Sequence, residues 1–254
     1  MSEDLGFHFT WFGHATVHVE SEAGTSVLID PWLGNPRSPA GADTIERCDV
    51  MLVTHGHHDH LGAMPGEIAS ADALTIARRT APVWPAIHEL QLWLSAQDTG
   101  EAELVGMNKG GTVEARGIRV TMVRAEHSAG DFLADEGIPL YLGEPAGFVV
   151  ELENGRSFYH AGDTALFGDM RLIGEMHRPD VAFLPIGGHF TMDPPAAARA
   201  VELLGCSTVV PIHYGTFPIL AGTPDQLRSE LEYLGLGDVT VLAPEPGTTV
   251  TSSG

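Results

Sequence analysis

The sequence predicts an α/β fold, in which strands and helices alternate along the chain. Two observations indicate this class. Short apolar runs that are typical of buried strands recur along the chain, and several of them end in histidine or aspartate. Other segments carry apolar residues at helical spacing. With 254 residues, of which 43% are hydrophobic, the chain can form one domain with two packed sheets or two small domains.

The composition is strongly acidic. The formal net charge is −21, from 34 acidic and 13 basic residues, and Lys109 is the only lysine. Because such a surface repels nucleic acid and anionic membranes, we expect neither as a partner. The acidity also supports the hypothesis of a salt-adapted source, which predicts that stability rises with salt.

The sequence also favours a location inside the cell. No apolar run approaches the roughly 18 residues that a membrane-spanning helix needs. The start of the chain, residues 1–6, is acidic and has no hydrophobic signal core, so a cytoplasmic location is expected. Cys48 and Cys206 lack metal-binding spacing and are predicted to be buried thiols in a reducing compartment.

Four strands are predicted in the N-terminal part of the chain. The pair Gly13-His14 separates the first two, and the third ends near an acid, Asp30. A loop rich in proline and glycine follows the third strand. The predicted strands cover residues 7–12, 17–20, 26–31 and 50–53, and the loop covers residues 31–42.

The rest of the chain is predicted to contain further strands and three helices. Residues 130–147 lack periodicity and are predicted to form a lid over the substrate, with Phe132 and Tyr141 as walls; a plain surface loop is the alternative. The predicted helices cover residues 86–97, 194–204 and 224–234, and the strands cover 117–123, 148–152, 157–160, 181–186 and 207–212. The strands at 148–152 and 157–160 are predicted to form a hairpin.

A dense group of ligand-type residues follows the fourth strand. His55 and His57 are two residues apart and therefore face the same side, while Asp59 and His60 follow as the backbone turns. Four such groups would repel one another and lose solvation if no ion bound them. Imidazole and carboxylate are ligands that Zn(II), Mn(II) and Fe(II) accept. The segment therefore predicts a metal site for up to two ions, with His58 as a bystander.

The same arrangement recurs along the chain. Asp30, His55, His127, Asp163 and His213 each follow an apolar strand. Strand ends that converge place such residues along one edge of a sheet. The sequence therefore predicts that these residues belong to one site.

In order, these five positions match the five motifs of the metallo-β-lactamase superfamily, which the chain resembles from Asp30 to His213. Further motifs are similar to a branch of cytoplasmic metal-dependent hydrolases that is itself similar to the ascorbate-6-phosphate lactonases and, more distantly, to N-acylphosphatidylethanolamine phospholipase D. These motifs are Gly13-His14 and residues 159–164 and 185–192. Asp193 departs from this branch, in which glycine is expected, and could alter the charge of the pocket.

The resemblance implies a fold, a metal centre and supporting residues. The fold is a four-layer αββα sandwich, with two mixed sheets flanked by helices in one domain over residues 1–254. Two divalent ions are implied, most often zinc, with Mn, Fe or Ni as alternatives. The implied ligands are His55, His57 and His127 for the first ion, Asp59, His60 and His213 for the second, and Asp163 as the bridge. Asp30, His14 and His160 are implied to support the ligands, although His14 and His160 could equally be structural.

The resemblance also implies the chemistry. A water shared by two divalent ions loses a proton near neutral pH, and the hydroxide attacks a small lactone or ester. Asp59 would orient it, and His189 would line the pocket and assist the leaving group, unless it is only a turn residue. The alternatives are a phosphodiesterase and a non-hydrolytic metal-binding or di-iron redox protein. The expected partner is a small-molecule substrate, and related proteins often form homo-oligomers.

Overall fold

The computed structural model describes residues 5–133 and 138–251. Within these residues the strands are β1 (Phe7–Trp11), β2 (Val17–Ser21), β3 (Ser26–Ile29), β4 (Val50–Leu52), β5 (Val83–Ile87), β6 (Glu103–Met107), β7 (Thr112–Ala115), β8 (Ile118–Arg124), β9 (Asp131–Leu133), β10 (Ile138–Leu140), β11 (Ala146–Glu151), β12 (Ser157–His160), β13 (Val181–Pro185), β14 (Thr208–Ile212), β15 (Thr240–Val241) and β16 (Thr249–Val250). The α-helices are α1 (His58–Leu61), α2 (Asp72–Thr80), α3 (His88–Leu94), α4 (Met170–His177), α5 (Pro194–Leu204) and α6 (Pro224–Tyr233). None of these helices is both long and apolar enough to span a membrane.

The strands form two seven-stranded mixed sheets. The first sheet has the order β16-β1-β2-β3-β4-β5-β6, and the second has the order β15-β14-β13-β12-β11-β8-β7. In the first sheet β3 to β6 run parallel, and in the second sheet β12 to β15 run parallel. The remaining pairs in both sheets are antiparallel, and β9 and β10 form a separate hairpin.

The core lies between the two sheets. Phe7 and Phe9 of β1 pack their rings against Phe158 of β12 and Phe183 of β13, with centroid distances of 5.6 and 5.3 Å. All four rings are buried, and each buried aromatic side chain contributes a large apolar area. Helix α3 contacts β5 and β6 of the first sheet, and α5 contacts β13 of the second sheet and both α4 and α6. This arrangement confirms the predicted fold of two mixed sheets flanked by helices.

Most predicted elements are present, but one helix was predicted to begin before its observed first residue. Residues 86–97 were expected to be helical, whereas β5 extends to Ile87 and α3 runs only from His88 to Leu94. The reason is tertiary, because β5 is buried along its whole length and pairs with β6. The sequence patterns missed the helices α1, α2 and α4 and the strands β5, β6, β7, β15 and β16, of which the last two contain only two residues each.

The predicted loop at residues 130–147 contains regular structure. Strands β9 and β10 pair within it, with Phe132 opposite Pro139. Residues 134–137, at its centre, lie outside the described residues. Phe132 and Tyr141 are 46% and 64% exposed. A lid made by this segment remains a prediction, and the short hairpin within it was not predicted.

Candidate metal centre

The carboxyl ends of the central strands bring the predicted ligands together. His55 follows β4 after two residues, and the short helix α1 carries Asp59 and His60. Asp163 and His213 follow β12 and β14, which lie in the second sheet. The carboxyl ends of parallel strands form the edge at which open α/β sheets bind ligands. The centre therefore lies between the ends of the two sheets.

Every residue predicted as a ligand belongs to one of three overlapping groups. Within each group, one ligand atom from every residue lies within 4.8 Å of the others. The groups are His55, His57 and His127; His55, His60 and Asp163; and His14, Asp59, His60 and His213. The first group contains the three residues implied for one ion, and the third contains those implied for the other together with His14.

In the first group, three neutral imidazoles converge. His55 Nε2 lies 2.8 Å from His57 Nδ1, and the ring centroid of His127 lies 5.2 Å from those of both rings. Burial lowers the pKa of all three rings, to about 4 for His57 and well below the ordinary range for His55, and the nearby His60 lowers them further. Neutral rings offer the nitrogen lone pairs that a metal ion requires.

Asp163 occupies the middle of the cluster. Its Oδ2 lies 3.0 Å from His213 Nε2 and 3.5 Å from His127 Nε2, and its Oδ1 lies 3.4 Å from His60 Nε2. Burial by itself raises the pKa of Asp163, but His213 and His60 outweigh it and hold this pKa well below its usual range. Asp163 is therefore an ionised carboxylate placed between residues of both groups, as a bridging ligand must be.

Buried atoms without hydrogen-bond partners indicate what the cluster is built to hold. Among the described residues, His60 Nε2, Asp163 Oδ1 and His213 Nε2 are buried and make no hydrogen bond. Leaving a buried polar atom unsatisfied costs about 1–3 kcal/mol. A divalent cation satisfies such lone pairs, and imidazole and carboxylate form the donor set of zinc and related metals. The residues present therefore fit a metal centre.

Asp30 pairs with His60 beneath the cluster. Its Oδ2 lies 2.8 Å from His60 Nδ1 and accepts a hydrogen bond of 2.8 Å from Thr54 Oγ1, while its Oδ1 accepts one of 2.8 Å from Thr54 N. When His60 donates Nδ1–H to this carboxylate, its Nε2 is left free to bind a metal. Asp30 is completely buried, so water does not compete for these bonds.

His14 lies closer to the centre than a structural loop residue would. Its Nε2 is 3.0 Å from Asp59 Oδ2, and its Nδ1 is 3.0 Å from Thr216 Oγ1. Burial is the largest effect on its ring, followed by the charge of His213, and the pKa of His14 falls to about 4. His14 therefore contacts one predicted ligand directly and fits either of two roles, orienting Asp59 or acting as a further ligand.

His160 and His189 do not touch the cluster in the way that was expected. His160 is buried, its Nε2 lies 3.1 Å from Ala15 O, and its Nδ1 accepts a hydrogen bond from Gly162 N. It therefore fixes the backbone of Ala15, which follows His14, and of Gly162, which precedes Asp163. It makes no hydrogen bond with the side chain of His14 or of Asp163. His189 is exposed, and its ring packs edge-on against Phe190 with centroids 4.4 Å apart.

The backbone itself is unusual around the centre. His14, Asp30, His189 and His213 have φ of +50°, +47°, +62° and +53°. Residues other than glycine seldom adopt this left-handed region, and such residues concentrate at functional sites. His213 N donates a hydrogen bond of 2.8 Å to His14 O, so two of the four are tied together.

A cavity of about 390 Å³ opens over the cluster. The predicted residues that line it are His14, His57, Asp59, His127, Asp163 and His213, and the lining residues that sequence reasoning missed are His58, Ser128, Phe190, Phe217 and Leu220. No motif marked Phe217 or Leu220, because both lie in a loop whose position depends on the tertiary fold.

Two residues that the sequence linked to the pocket are not among those that line it. His189 was expected to line it, but Phe190 does so instead. Asp193 was expected to alter its charge, but this exposed side chain accepts a hydrogen bond from Ala196 N and caps the N-terminus of α5. Glycine is also tolerated at N-caps, so the departure from the resembling branch is conservative.

Comparison with known proteins gives the family. The profile of the beta-lactamase superfamily domain matches residues 25–214. A UPF0173 metal-dependent hydrolase of Roseiflexus castenholzii is 44% identical over 246 residues, which cover 95% of this chain and 96% of the relative. This chain belongs to the UPF0173 metal-dependent hydrolases of the metallo-β-lactamase superfamily. The UPF0173 metal-dependent hydrolase of Methanopyrus kandleri is 46% identical over 239 residues, covering 94% of this chain and 96% of the relative.

Solved structures agree with this family and with the fold. Igni18, a metallo hydrolase from the archaeon Ignicoccus hospitalis, superimposes with a TM-score of 0.81 at 37% identity, covering 96% of this chain and 97% of that chain. An isothiocyanate hydrolase from Delia radicum gut bacteria has a TM-score of 0.72 at 20% identity and covers 97% of this chain and 100% of that chain. At that identity, the second similarity concerns the fold alone.

Proposed function

We propose that this protein is a dinuclear metal-dependent hydrolase that acts on small, uncharged lactones or carboxylic esters. The observation that carries the proposal is the cluster itself, in which imidazoles and two carboxylates from both sheets converge below an open cavity. Among the described residues, His60, Asp163 and His213 each have at least one buried side-chain atom that makes no hydrogen bond. The ligand set implied by sequence is adopted as part of the proposal. Zinc is the proposed metal, because histidine and aspartate in this number are typical of its sites.

When bound, two divalent ions would lower the pKa of a water and stabilise negative charge on the substrate oxygen. The protein contributes the positions of the ligands. His55, His57 and His127 would hold one ion, Asp59, His60 and His213 would hold the other, and Asp163 would bridge them. Asp30 holds His60 in the tautomer that leaves Nε2 available.

Asp59 is placed to orient the attacking water. It lines the cavity, and its Oδ2 is held by His14 Nε2 at 3.0 Å. Burial by itself raises the pKa of Asp59, but His60 and the bond from His14 outweigh it and hold the pKa well below its usual range. An ionised carboxylate at this place can accept a hydrogen bond from the water and direct its lone pair toward a carbonyl carbon.

The lining of the cavity supports an uncharged substrate. No lysine or arginine is among the described residues that line it. A phosphodiester carries a negative charge that basic side chains usually neutralise. A lactone or carboxylic ester needs no such partner.

Phosphodiester hydrolysis is the second candidate, because one neighbouring feature favours it. A second cavity, of about 610 Å³, shares His127 with the centre and is lined by Lys109 and Arg124. However, Lys109 pairs with Glu144 and Arg124 pairs with Glu126. These acids offset both cations, so the first candidate is preferred.

A direct assay tests both candidates. Zinc-loaded protein is assayed on small lactones, carboxylic esters and phosphodiesters, with Asp163→Ala as the inactive comparison and Asp225→Ala, at a 93% exposed side chain, as the matched control. We expect turnover of lactones or esters that Asp163→Ala lacks, together with loss of bound zinc in that variant. Equal turnover in Asp163→Ala would contradict the dinuclear assignment, and turnover of phosphodiesters alone would favour the second candidate.

A further inference from the structure

The cavity over the metal centre has two chemically different sides. One side is the cluster of histidines and aspartates, and the other is formed by Phe190, Phe217 and Leu220, which we call the apolar wall. We propose that the apolar wall binds an alkyl or aryl group of the substrate next to the bond that is hydrolysed, and that it determines substrate specificity. This inference rests on the proposed hydrolase function and names the part of the substrate that the site selects.

The wall is built by two loops that are joined to each other. Phe190 lies in the loop after β13, and Phe217 and Leu220 lie in the loop after β14. Leu220 N donates a hydrogen bond of 2.9 Å to Phe217 O, and Gly222 N donates one of 3.2 Å to Gly187 O. The second bond connects the two loops. The backbones of the two loops that carry these side chains are therefore tied together before a ligand arrives, which reduces the entropy cost of binding.

Phe217 is fixed over the centre by aromatic neighbours. Its ring centroid lies 6.1 Å from that of Trp32 and 6.2 Å from that of His14. His14 in turn contacts Asp59, a proposed ligand. A group that packs on Phe217 therefore lies close to the cluster, because His14 contacts both Phe217 and Asp59.

The exposure of the wall leaves apolar surface for a ligand. Phe190 and Phe217 are 58% and 42% exposed, while Leu220 beneath them is 2% exposed. Exposed aromatic rings beside a polar cluster are typical of ligand sites, which are mainly apolar with a few placed polar groups. The group that fits this wall is therefore apolar.

A homologous series of esters tests the wall. For zinc-loaded protein on p-nitrophenyl acetate, butyrate and hexanoate, we expect kcat/KM to rise by up to about fourfold for each methylene that the wall covers. Phe217→Ala should flatten this rise, so that kcat/KM falls more for the hexanoate than for the acetate. Tyr233→Ala removes a more exposed aromatic ring, 84% exposed on α6, and should leave the whole series unchanged.

A second variant and a binding experiment keep the test independent of folding and of catalysis. Phe190→Ala alters the more exposed ring, and metal content and Tm verify that each variant is intact. Binding of 2-butanone, 2-hexanone and 2-octanone is measured by ligand-observed NMR, which requires no turnover. Affinity that rises with chain length, and is lost in both variants, supports the wall even if no ester is hydrolysed. Ester hydrolysis with no dependence on chain length in either experiment overturns the wall and leaves the proposed function standing.

Discussion

At the scale of single residues, Asp30 shows how a buried carboxylate prepares a ligand. It accepts hydrogen bonds from Thr54 through both of its oxygens and is paired with His60 Nδ1. Its backbone has φ of +47°, a conformation that aspartate adopts more readily than most residues. The residue therefore combines a strained backbone with a hydrogen-bonding role that selects one tautomer of His60.

Asp30→Asn tests this role. The amide would donate toward His60 Nδ1, so His60 would carry its proton on Nε2, where the metal must bind. We expect the zinc affinity of the site that contains His60 to fall by about 10–100-fold. Equilibrium dialysis followed by elemental analysis measures this loss, with the exposed Asp225→Asn as the control. Unchanged zinc affinity would show that the tautomer of His60 does not depend on Asp30.

At the scale of elements, the hairpin β9–β10 is attached to the metal motif at its C-terminal side. Leu142 follows β10, is completely buried, and occupies the space that Gly56 leaves between two predicted ligands. Four residues further on, Ala146 N donates a hydrogen bond of 3.0 Å to Thr54 O. The segment predicted as a lid is therefore anchored directly on the cluster.

Gly56→Ala should disrupt this anchor. The added Cβ would overlap the side chain of Leu142, so either the hairpin or the adjacent His55 and His57 must move. We expect a lower Tm and weaker zinc binding, because overpacking a buried contact costs about 1–3 kcal/mol. Both are measured by thermal unfolding with and without zinc. Gly168→Ala, where a Cβ meets nothing within 4 Å, is the control.

A second substitution makes the cause specific. Leu142→Gly removes every side-chain atom of Leu142 that the new Cβ would meet, so the double variant should recover zinc binding relative to Gly56→Ala alone. Strong non-additivity is expected for residues in direct contact. Additive effects of the two substitutions would mean that the loss does not arise from this contact.

At the scale of the whole molecule, charge is the dominant feature. The chain carries 34 acidic and 13 basic residues, and its net charge of −21 produces self-repulsion in the folded state. Several of the basic residues are already paired at the surface, including Arg119 with Glu151 and Arg199 with Glu202. Surface pairs of this kind contribute about 0–1 kcal/mol each, so they do not remove the repulsion.

Salt should therefore stabilise the protein. Between about 0.01 M and about 1 M salt the Debye length falls from about 30 Å to about 3 Å, which screens the repulsion between acids. We expect Tm to rise over this range with zinc held constant. Sucrose at matched osmolality, which adds no screening, should produce a smaller rise. A flat Tm across the salt series would contradict the hypothesis of salt adaptation.

Much of the site was predictable because its chemistry is local in sequence. The cluster at His55, His57, Asp59 and His60 lies within one short segment that follows β4, as the pattern indicated, although the helix α1 was not predicted. Helix α5 was also predicted with its observed bounds, since Pro194 and the apolar spacing mark it. Family membership and the two-sheet fold agree with the expectations drawn from these motifs.

The tertiary structure decided what depends on distant neighbours. Pairing between β5 and β6 turned the start of a predicted helix into a strand, because burial in a sheet overrides local spacing. His189 and Phe190 are adjacent in sequence, yet only Phe190 lines the cavity. Phe217 carries no motif and lies there because β14 ends beside β13. The sequence by itself determined which imidazole and carboxylate groups the chain can offer to a metal, since ligand chemistry belongs to residue types. The walls of the cavity depend on loops that only the packed sheets bring together.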